Sequence, residues 1–376
     1  MIYLDHNATT RPSELVREAV DAALGEFWHN PSSVHRAGQA ARHRVELARA
    51  AVADLIGAKA REITFTSGGT EALDLAIRGT LESRPGCLIT TRIEHAAVRE
   101  LASDLEKKDP ARVRWCPLSS DATVDLGALE RLLGEGASLL CVQWANNETG
   151  VVQPVDRIAE LARAAGVPWC CDATQWIGKE PCPAPVADMM AFAPHKFHGP
   201  KGVGVLFARA GVRLKPRLLG SQELGRRAGT ENVPGILGAG AAAAEAAQWL
   251  ADPAPRERQR ALRDRFETRL TSLVPDAVVN AAGSPRLWNT TNIGFPTLEA
   301  EALLLLLSER GLCASAGAAC SSGSLEPSPV LLAMGIPPVV AHGSVRFSLG
   351  RDTTPEEVEQ AAEVVAACVS VLRRSA

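Results

Sequence analysis

Apolar positions recur every three to four residues in SELVREAVDAAL, AARHRVELARAAVADLIG and DRIAELARAAG, and run almost unbroken through EITFT, CLITT, SLLCVQWA, VPWCCDA and MMAFA. The first spacing predicts amphipathic helices and the second short buried strands. Their alternation from residue 13 to residue 250 predicts a large domain with a mostly parallel sheet covered by helices on both faces. Right-handed crossovers then put the C-terminal ends of the strands on one rim, where ligands collect.

Near residue 251 the texture changes. ADPAPRERQ predicts a boundary, followed by the polar helix RERQRALRDRFETRLTSL, the apolar run EAEALLLLLSERG, a loop of small residues and the helix TPEEVEQAAEVVAACVSVLRRS. The expected division is a large domain over 13–250 and a smaller α+β domain formed by 1–12 and 251–376. The run Leu303 to Leu307 is too short to span a bilayer and predicts a buried helix face.

A chain of 376 residues has ample room to enclose a site, and 46% hydrophobic with 22% charged residues is the composition of a soluble globular protein. A formal net charge of -3 gives no electrostatic reason to expect direct contact with nucleic acid or an anionic membrane. The start MIYLDHNATT has no charged stretch followed by an apolar one, so the expected compartment is the cytoplasm. Nine scattered cysteines without C-x-x-C pairs suit reduced thiols better than a disulfide framework or structural zinc. Cys87, Cys141, Cys170 and Cys171 lie in apolar runs and are expected to be small buried hydrophobes. Cys320 differs. In ASAGAACSSGSLEPS, residues 314 to 328, it has only small neighbours, which cannot anchor a segment by burial, so a thiol on a mobile arm is expected.

Several stretches after predicted strands carry chemistry. In EITFTSGGTEALDLAIRG, residues 62 to 79, a strand enters Ser67-Gly68-Gly69-Thr70 and a helix begins at once. The glycines let backbone approach a ligand and the free N–H groups of a helix start favour a phosphate. The same residues also suit a plain turn capped by Thr70 with Glu71 in the first turn. In WCCDATQWIG, Asp172 ends a strand and Gln175 follows; the carboxylate suits either a protonated ring nitrogen or a cap on the next segment. In MMAFAPHKFHGPKGVGVLF, Lys196 stands between His195 and His198, whereas Lys201 in the turn reads as an ordinary exposed lysine. A lysine that must be partly neutral to condense with an aldehyde needs surroundings that lower its pKa. His195 and His198 have no evident third ligand nearby, so no metal is expected. His95 in TTRIEHAAV suits stacking on a ring and proton transfer, or a loop histidine satisfied locally. Asn146-Asn147 in QWANNETG suit a bond to a ring hydroxyl or substrate, or a turn. An anion loop, a strand-end aspartate and a poised lysine together form the set that holds pyridoxal 5'-phosphate, by its phosphate, ring nitrogen and aldehyde respectively.

In their order these stretches resemble the cysteine desulfurases of the class V aminotransferase fold, the nitrogen-fixation and iron-sulfur-cluster group. YLDHNATT, NPSSVHRAG, FTSGGTE, EHAAV, ANNETGVVQP, DATQ, HKFHGPKGVG, RRAGTEN, SAGAACSSGSLEPS and VRFSLGR carry the likeness over nearly the whole chain. It implies a fold type I pyridoxal-phosphate-dependent transferase whose large domain holds a mostly parallel seven-stranded sheet, acting as a homodimer. It implies conversion of L-cysteine to L-alanine with the sulfur left on Cys320 as a persulfide. An acceptor protein would take that sulfur for iron-sulfur clusters or for thiolation of tRNA, DNA or a cofactor. Carried onto this sequence, Lys196 is the Schiff-base lysine, His95 stacks on the cofactor and moves protons, and Asp172 meets the pyridine nitrogen. Gln175 and Asn147 bond the ring hydroxyl region, and Asn147 also faces substrate. Gly69, Thr70 and His195 contact the phosphate, joined by Thr230 reaching over from the partner subunit. Arg346 pairs with the substrate carboxylate.

Two departures matter. Ala193 stands where the family commonly has a serine on the phosphate, a lost hydrogen bond worth about 1 to 3 kcal/mol. Trp176 replaces a small residue and is expected to narrow the pocket. The same cofactor site would also serve a selenocysteine lyase, or a lyase of this fold without persulfide transfer. No extension of the kind that engages a scaffold protein follows the last helix, which leaves the sulfur acceptor open.

Overall fold

The computed structural model of the protein describes residues 1–317 and 326–375, so the expected acceptor Cys320 lies outside the described residues. A short strand β1 (Ile2–Tyr3) and two helices, α1 (Glu14–Gly25) and α2 (Arg36–Leu55), come first. Strands and helices then alternate: β2 (Ile63–Thr66), α3 (Gly69–Ser83), β3 (Leu88–Thr90), α4 (Ala96–Lys108), β4 (Val113–Trp115), α5 (Leu126–Gly134), β5 (Leu139–Cys141) and α6 (Val155–Ala164). Three strands follow, β6 (Trp169–Asp172), β7 (Met189–Phe192) and β8 (Gly204–Ala208). They build one seven-stranded sheet in the order β2-β8-β7-β6-β5-β3-β4. Only β8 is reversed, lying antiparallel to both β2 and β7 while the other neighbours are parallel.

The period of two along each strand divides the core between the faces. Met190 and Phe192 pack with Val45 and Val52 of α2 and Ile158 of α6, whereas Met189 and Ala191 pack with Leu73 of α3 and Leu101 of α4. Both faces being apolar explains why these strands read as unbroken hydrophobic runs.

The long helix α7 (Val233–Leu250) covers the first face and leads to α8 (Ala254–Leu273). Beyond it come β9 (Val278–Val279), β10 (Thr290–Gly294), α9 (Ala300–Glu309), β11 (Leu312–Cys313) and β12 (Ser315–Ala316). The chain closes with α10 (Pro329–Ala333), α11 (Pro338–Ala341), β13 (Ser344–Ser348) and α12 (Pro355–Ser375). An antiparallel sheet β12-β13-β10-β9 lies here, and β1 joins this part by parallel pairing with β11. Ile2 and Leu4 thereby enter a core with Phe266, Leu303 and Val365. The Leu303 to Leu307 run is not uniformly buried: Leu303 and Leu307 face the core, while Leu305 is 69% exposed, because successive positions of a helix turn away from any one face. Among the described residues no helix is long and apolar enough to cross a membrane.

The outer edge of β2 is closed by a buried ion pair. Arg49 of α2 grips Glu223 with two bonds, Nη1 to Oε2 at 2.7 Å and Nη2 to Oε1 at 2.8 Å. Nη1 also donates to the Ile63 carbonyl at 3.1 Å, and the Phe65 N–H donates to Glu223 Oε2 at 2.8 Å, so two of the edge strand's free groups are satisfied. Removing one partner strands a charge inside. Arg49→Met is therefore expected to destabilise the protein by about 3 kcal/mol or more, read as a lowered urea midpoint, and the double variant with Glu223→Met should recover part of the loss.

Candidate active site

The C-terminal rim of the parallel strands opens into a cavity of about 320 Å³. Gly69 and Thr70 reach it from the start of α3, His95 from the start of α4, and Asn147 from the turn after β5. Asp172 and Gln175 reach it from the end of β6, and His195 and Lys196 from the turn after β7. Arg346 of β13 comes from the other side. Thr230 is the one expected site residue among the described residues that lies elsewhere, in a neighbouring cleft with Ser67 and Arg227.

The turn into α3 leaves backbone donors available. Gly68, not Thr70, is the N-cap, and having no side chain it satisfies no helix N–H; the Ser67 N–H instead goes to Glu71 Oε2 at 2.6 Å. Gly204 of β8 packs on the Gly68 backbone so closely that a Cβ would collide with it, which holds this turn against the sheet. A Cβ on Gly69 would lie 3.4 Å from Thr174 Oγ1 and 3.7 Å from Ala193 Cβ, so a threonine hydroxyl stands beside the position where Ala193 offers none.

Asp172 is 6% exposed and accepts the Thr174 N–H at 3.0 Å through Oδ1, acting as a local cap while it lines the cavity. His95 is the N-cap of α4: its Nδ1 accepts the Ala97 N–H at 3.1 Å, so the neutral ring carries its proton on Nε2. Burial pushes the His95 pKa down, against the pull of Asp172 and with the push of Lys196. His195 meets Thr9 Oγ1 at 3.1 Å through Nδ1, and burial together with Lys196, Lys201 and Lys179 lowers its pKa to about 4. Lys196 Nζ donates to the carbonyls of Asn7 and Ala8, both at 2.7 Å. Asn146 serves its turn, accepting from the N–H groups of Glu148 and Thr149, whereas its neighbour Asn147 faces the cavity with an unpartnered buried Oδ1.

Arg346 is 2% exposed and pairs with Asp5, Nη2 to Oδ1 at 2.7 Å, while Nη1 donates to the Asn147 carbonyl at 3.0 Å and Nε is buried without a partner. A ligand carboxylate reaching this guanidinium therefore meets a cation already half neutralised by Asp5. Trp176 does not narrow the cavity. It turns away, stacks on Trp144 at 4.5 Å and donates Nε1–H to the Pro181 carbonyl at 3.1 Å, because its large ring gains more from burial than from the polar cavity.

Four polar residues of this site went unassigned in the sequence. Asn7 receives Lys196, and Lys179 lies behind Gln175. Glu94 takes the Thr91 hydroxyl at 2.7 Å on Oε1, while Oε2 is buried and unpartnered; burial, reinforced by Asp172, raises its pKa well above the usual carboxylate range. Glu148, whose pKa burial also raises, accepts the Ser328 hydroxyl at 2.6 Å and packs against Gly317. The only sequence signal for Asn7, Glu94 and Glu148 was their place inside the quoted runs YLDHNATT, EHAAV and ANNETGVVQP; Lys179 had none of its own.

A lysine at the strand rim, a carboxylate and an imidazole beside it, and a helix start free of side-chain caps share one cavity of an α/β protein with a mostly parallel sheet. The chain belongs to the aminotransferase class-V family, whose profile matches residues 2–361. It is 46% identical over 378 aligned residues to "Cysteine desulfurase 2" of Trichormus variabilis, covering 99% of this chain and 94% of that one. Among solved structures it is similar to a "NIFS-LIKE PROTEIN" with TM-score 0.89 and 34% identity over 98% of this chain and 99% of that one. It is also similar to "SspA in complex with cysteine", with TM-score 0.80 and 30% identity over 94% of this chain and 100% of that one.

Proposed function

We propose that the protein is a cysteine desulfurase that binds pyridoxal 5'-phosphate in this cavity and moves the sulfur of L-cysteine onto Cys320. The observation that carries the reading is the convergence of Lys196, Asp172, His95 and the uncapped start of α3 on one cavity, in a chain of the class V aminotransferase family. The residues suit the group: unsatisfied N–H donors for a phosphate, a carboxylate for a ring nitrogen, an amine for an aldehyde, and the orphaned Asn147 Oδ1 and Arg346 Nε for further polar partners.

Bound there, the cofactor supplies an aldehyde that takes up an amine and a ring that accepts electrons released at the substrate α-carbon. The chain's own residues do the rest. Gly69 and Thr70 offer backbone N–H groups to the phosphate, with neutral His195 beside them. Asp172 keeps the ring nitrogen protonated, and Gln175 and Asn147 orient the ring oxygen. Arg346 takes the substrate carboxylate in exchange for part of its hold on Asp5. Lys196 Nζ would hold the aldehyde and, when free of it, would take the α-proton of the substrate, while His95 would hold or move a proton at Nε2. The Cys320 thiolate attacks the substrate sulfur and the carbon–sulfur bond breaks. The carbon left behind regains a proton, so L-cysteine and a thiol become L-alanine and a persulfide, with atoms and electrons balanced.

The reading extends to a homodimer in which Thr230 reaches the neighbouring cavity, to a division near residue 251, to the cytoplasm as its compartment and to a protein that accepts the sulfur. The test is a reaction with L-cysteine in the presence of dithiothreitol. Alanine and sulfide are expected in equal amounts, from a protein that absorbs at about 420 nm when loaded. A colourless protein after incubation with the cofactor would sink the proposal. Faster alanine release from selenocysteine than from cysteine would shift it to a selenocysteine lyase.

A further inference from the structure

Two side chains stand over the first residue of α3. A Cβ built on Gly69 would have as its neighbours the Thr174 hydroxyl oxygen, at 3.4 Å, and the Ala193 methyl, at 3.7 Å, and all three residues line the cavity. The methyl offers nothing to a polar group. The hydroxyl makes no hydrogen bond with any of the described residues, so its proton is free for something that enters.

The main chain that carries this hydroxyl is fixed on both sides. The Thr174 N–H goes to Asp172 Oδ1 at 3.0 Å. Ala173 donates its N–H to the Ala191 carbonyl at 2.9 Å, and its own carbonyl accepts the N–H groups of Trp176 at 3.0 Å and Ile177 at 2.9 Å. On the other side Gln175 is tied through Nε2 to the Asn7 carbonyl at 3.0 Å. A donor on a backbone held in this way loses little freedom when a ligand accepts its bond.

Charge decides which ligand suits it. The N-cap of α3 is Gly68, which has no side chain to satisfy the first N–H groups, and the positive end of the helix dipole lies at the same place. Glu71, the acidic residue of the first turn, is gripped by Arg227, Nε to Oε1 at 2.8 Å and Nη2 to Oε2 at 3.2 Å, so its charge is answered. Uncapped N–H groups with a hydroxyl donor beside them suit a tetrahedral oxyanion, which takes hydrogen bonds from several directions at once.

We propose that Thr174 is a cofactor-binding residue: its hydroxyl donates to the phosphate of pyridoxal 5'-phosphate beside the N–H groups that open α3, a bond the adjacent Ala193 cannot make. The inference rests on the reading that the cavity binds this cofactor.

The test measures binding of pyridoxal 5'-phosphate, and separately of pyridoxal, to apo-protein by tryptophan quenching and by the band at about 420 nm. Wild type, Thr174→Ser, Thr174→Val and Thr174→Ala are compared, with a melting curve of each. Loss of the hydroxyl in the valine and alanine variants is expected to weaken binding of the phosphorylated compound at least about tenfold and to leave pyridoxal within about twofold, because the bond removed reaches a charged group. Thr174→Ser keeps the hydroxyl and should bind within about threefold of wild type. Adding Ala193→Ser to Thr174→Val restores a hydroxyl at the neighbouring position and should recover part of the loss. Wild-type affinity for the phosphorylated compound in both the valine and alanine variants overturns the inference, while the wild-type band upholds the reading of the cavity. An equal loss for pyridoxal, which has no phosphate, overturns it as well. If Thr174→Val does not fold, Thr174→Ala decides alone. A wild-type protein that takes up no cofactor overturns the reading of the cavity and this inference with it.

Discussion

Replacing Lys196 by alanine is expected to lower alanine and sulfide release from L-cysteine by about three orders of magnitude, with melting temperature little changed. In the proposed mechanism the amine has two tasks: it would hold the aldehyde, and its Nζ would be the base at the α-carbon. Its hydrogen bonds to the Asn7 and Ala8 carbonyls show how it is aimed, from the turn after β7 toward the N-terminal segment. Those carbonyls face the cavity, so water can replace the amine and stability should hold. Lys196→Arg is the sharper control. It keeps a cation of similar reach, yet a guanidinium stays charged and condenses poorly with an aldehyde, so it should fail nearly as badly. Sulfide evolution at the wild-type rate by either variant would end the proposed mechanism.

Cys320→Ala is expected to leave cofactor binding intact and to cut sulfide release with dithiothreitol at least about a hundredfold. Gly317, which lines the cavity, and Ser328, bonded to Glu148 on the cavity wall, bracket the segment that bears this cysteine. Cys320 follows Gly317 by three positions, an extended reach of about 10 Å, enough to bring a thiol to a substrate in the cavity. The expected contrast is a loaded, coloured protein that binds cysteine and does not pass on its sulfur. Full transfer by this variant would move the protein to a lyase that needs no persulfide.

Much of the frame was legible from local pattern. The runs CLITT, VPWCCDA and MMAFA became β3, β6 and β7, because strands apolar on both faces leave an unbroken hydrophobic trace. The amphipathic stretches became α1, α2 and α6 with ends shifted by a few residues. The strand TTNIG of β10 escaped, since its fully buried Thr290, Thr291 and Asn292 carry no apolar signal. Thr290 is partnered there from far along the chain, Asn7 Nδ2 donating to its Oγ1 at 2.9 Å. Trp176 was misjudged for a related reason. A residue's type at a strand end tells what it prefers to touch but not which side of the turn offers it, and the partner that decided the matter, Trp144, lies on another segment.

By itself the sequence determined most of the elements and that Lys196, Asp172 and His95 stand beyond the strand ends, while Cys320 was singled out only by its small neighbours. Periods of 2.0 and 3.6 residues and the chemistry of a side chain are properties of short stretches, so they survive without a structure. Only the tertiary structure decided that Asn7 would gather Lys196, Lys179 and Gln175, that Arg346 would be held by Asp5, and that Thr230 would face another cleft. Those outcomes depend on directional bonds between residues far apart in the chain, where a shift of about an ångström makes or breaks the contact and no periodic trace records it.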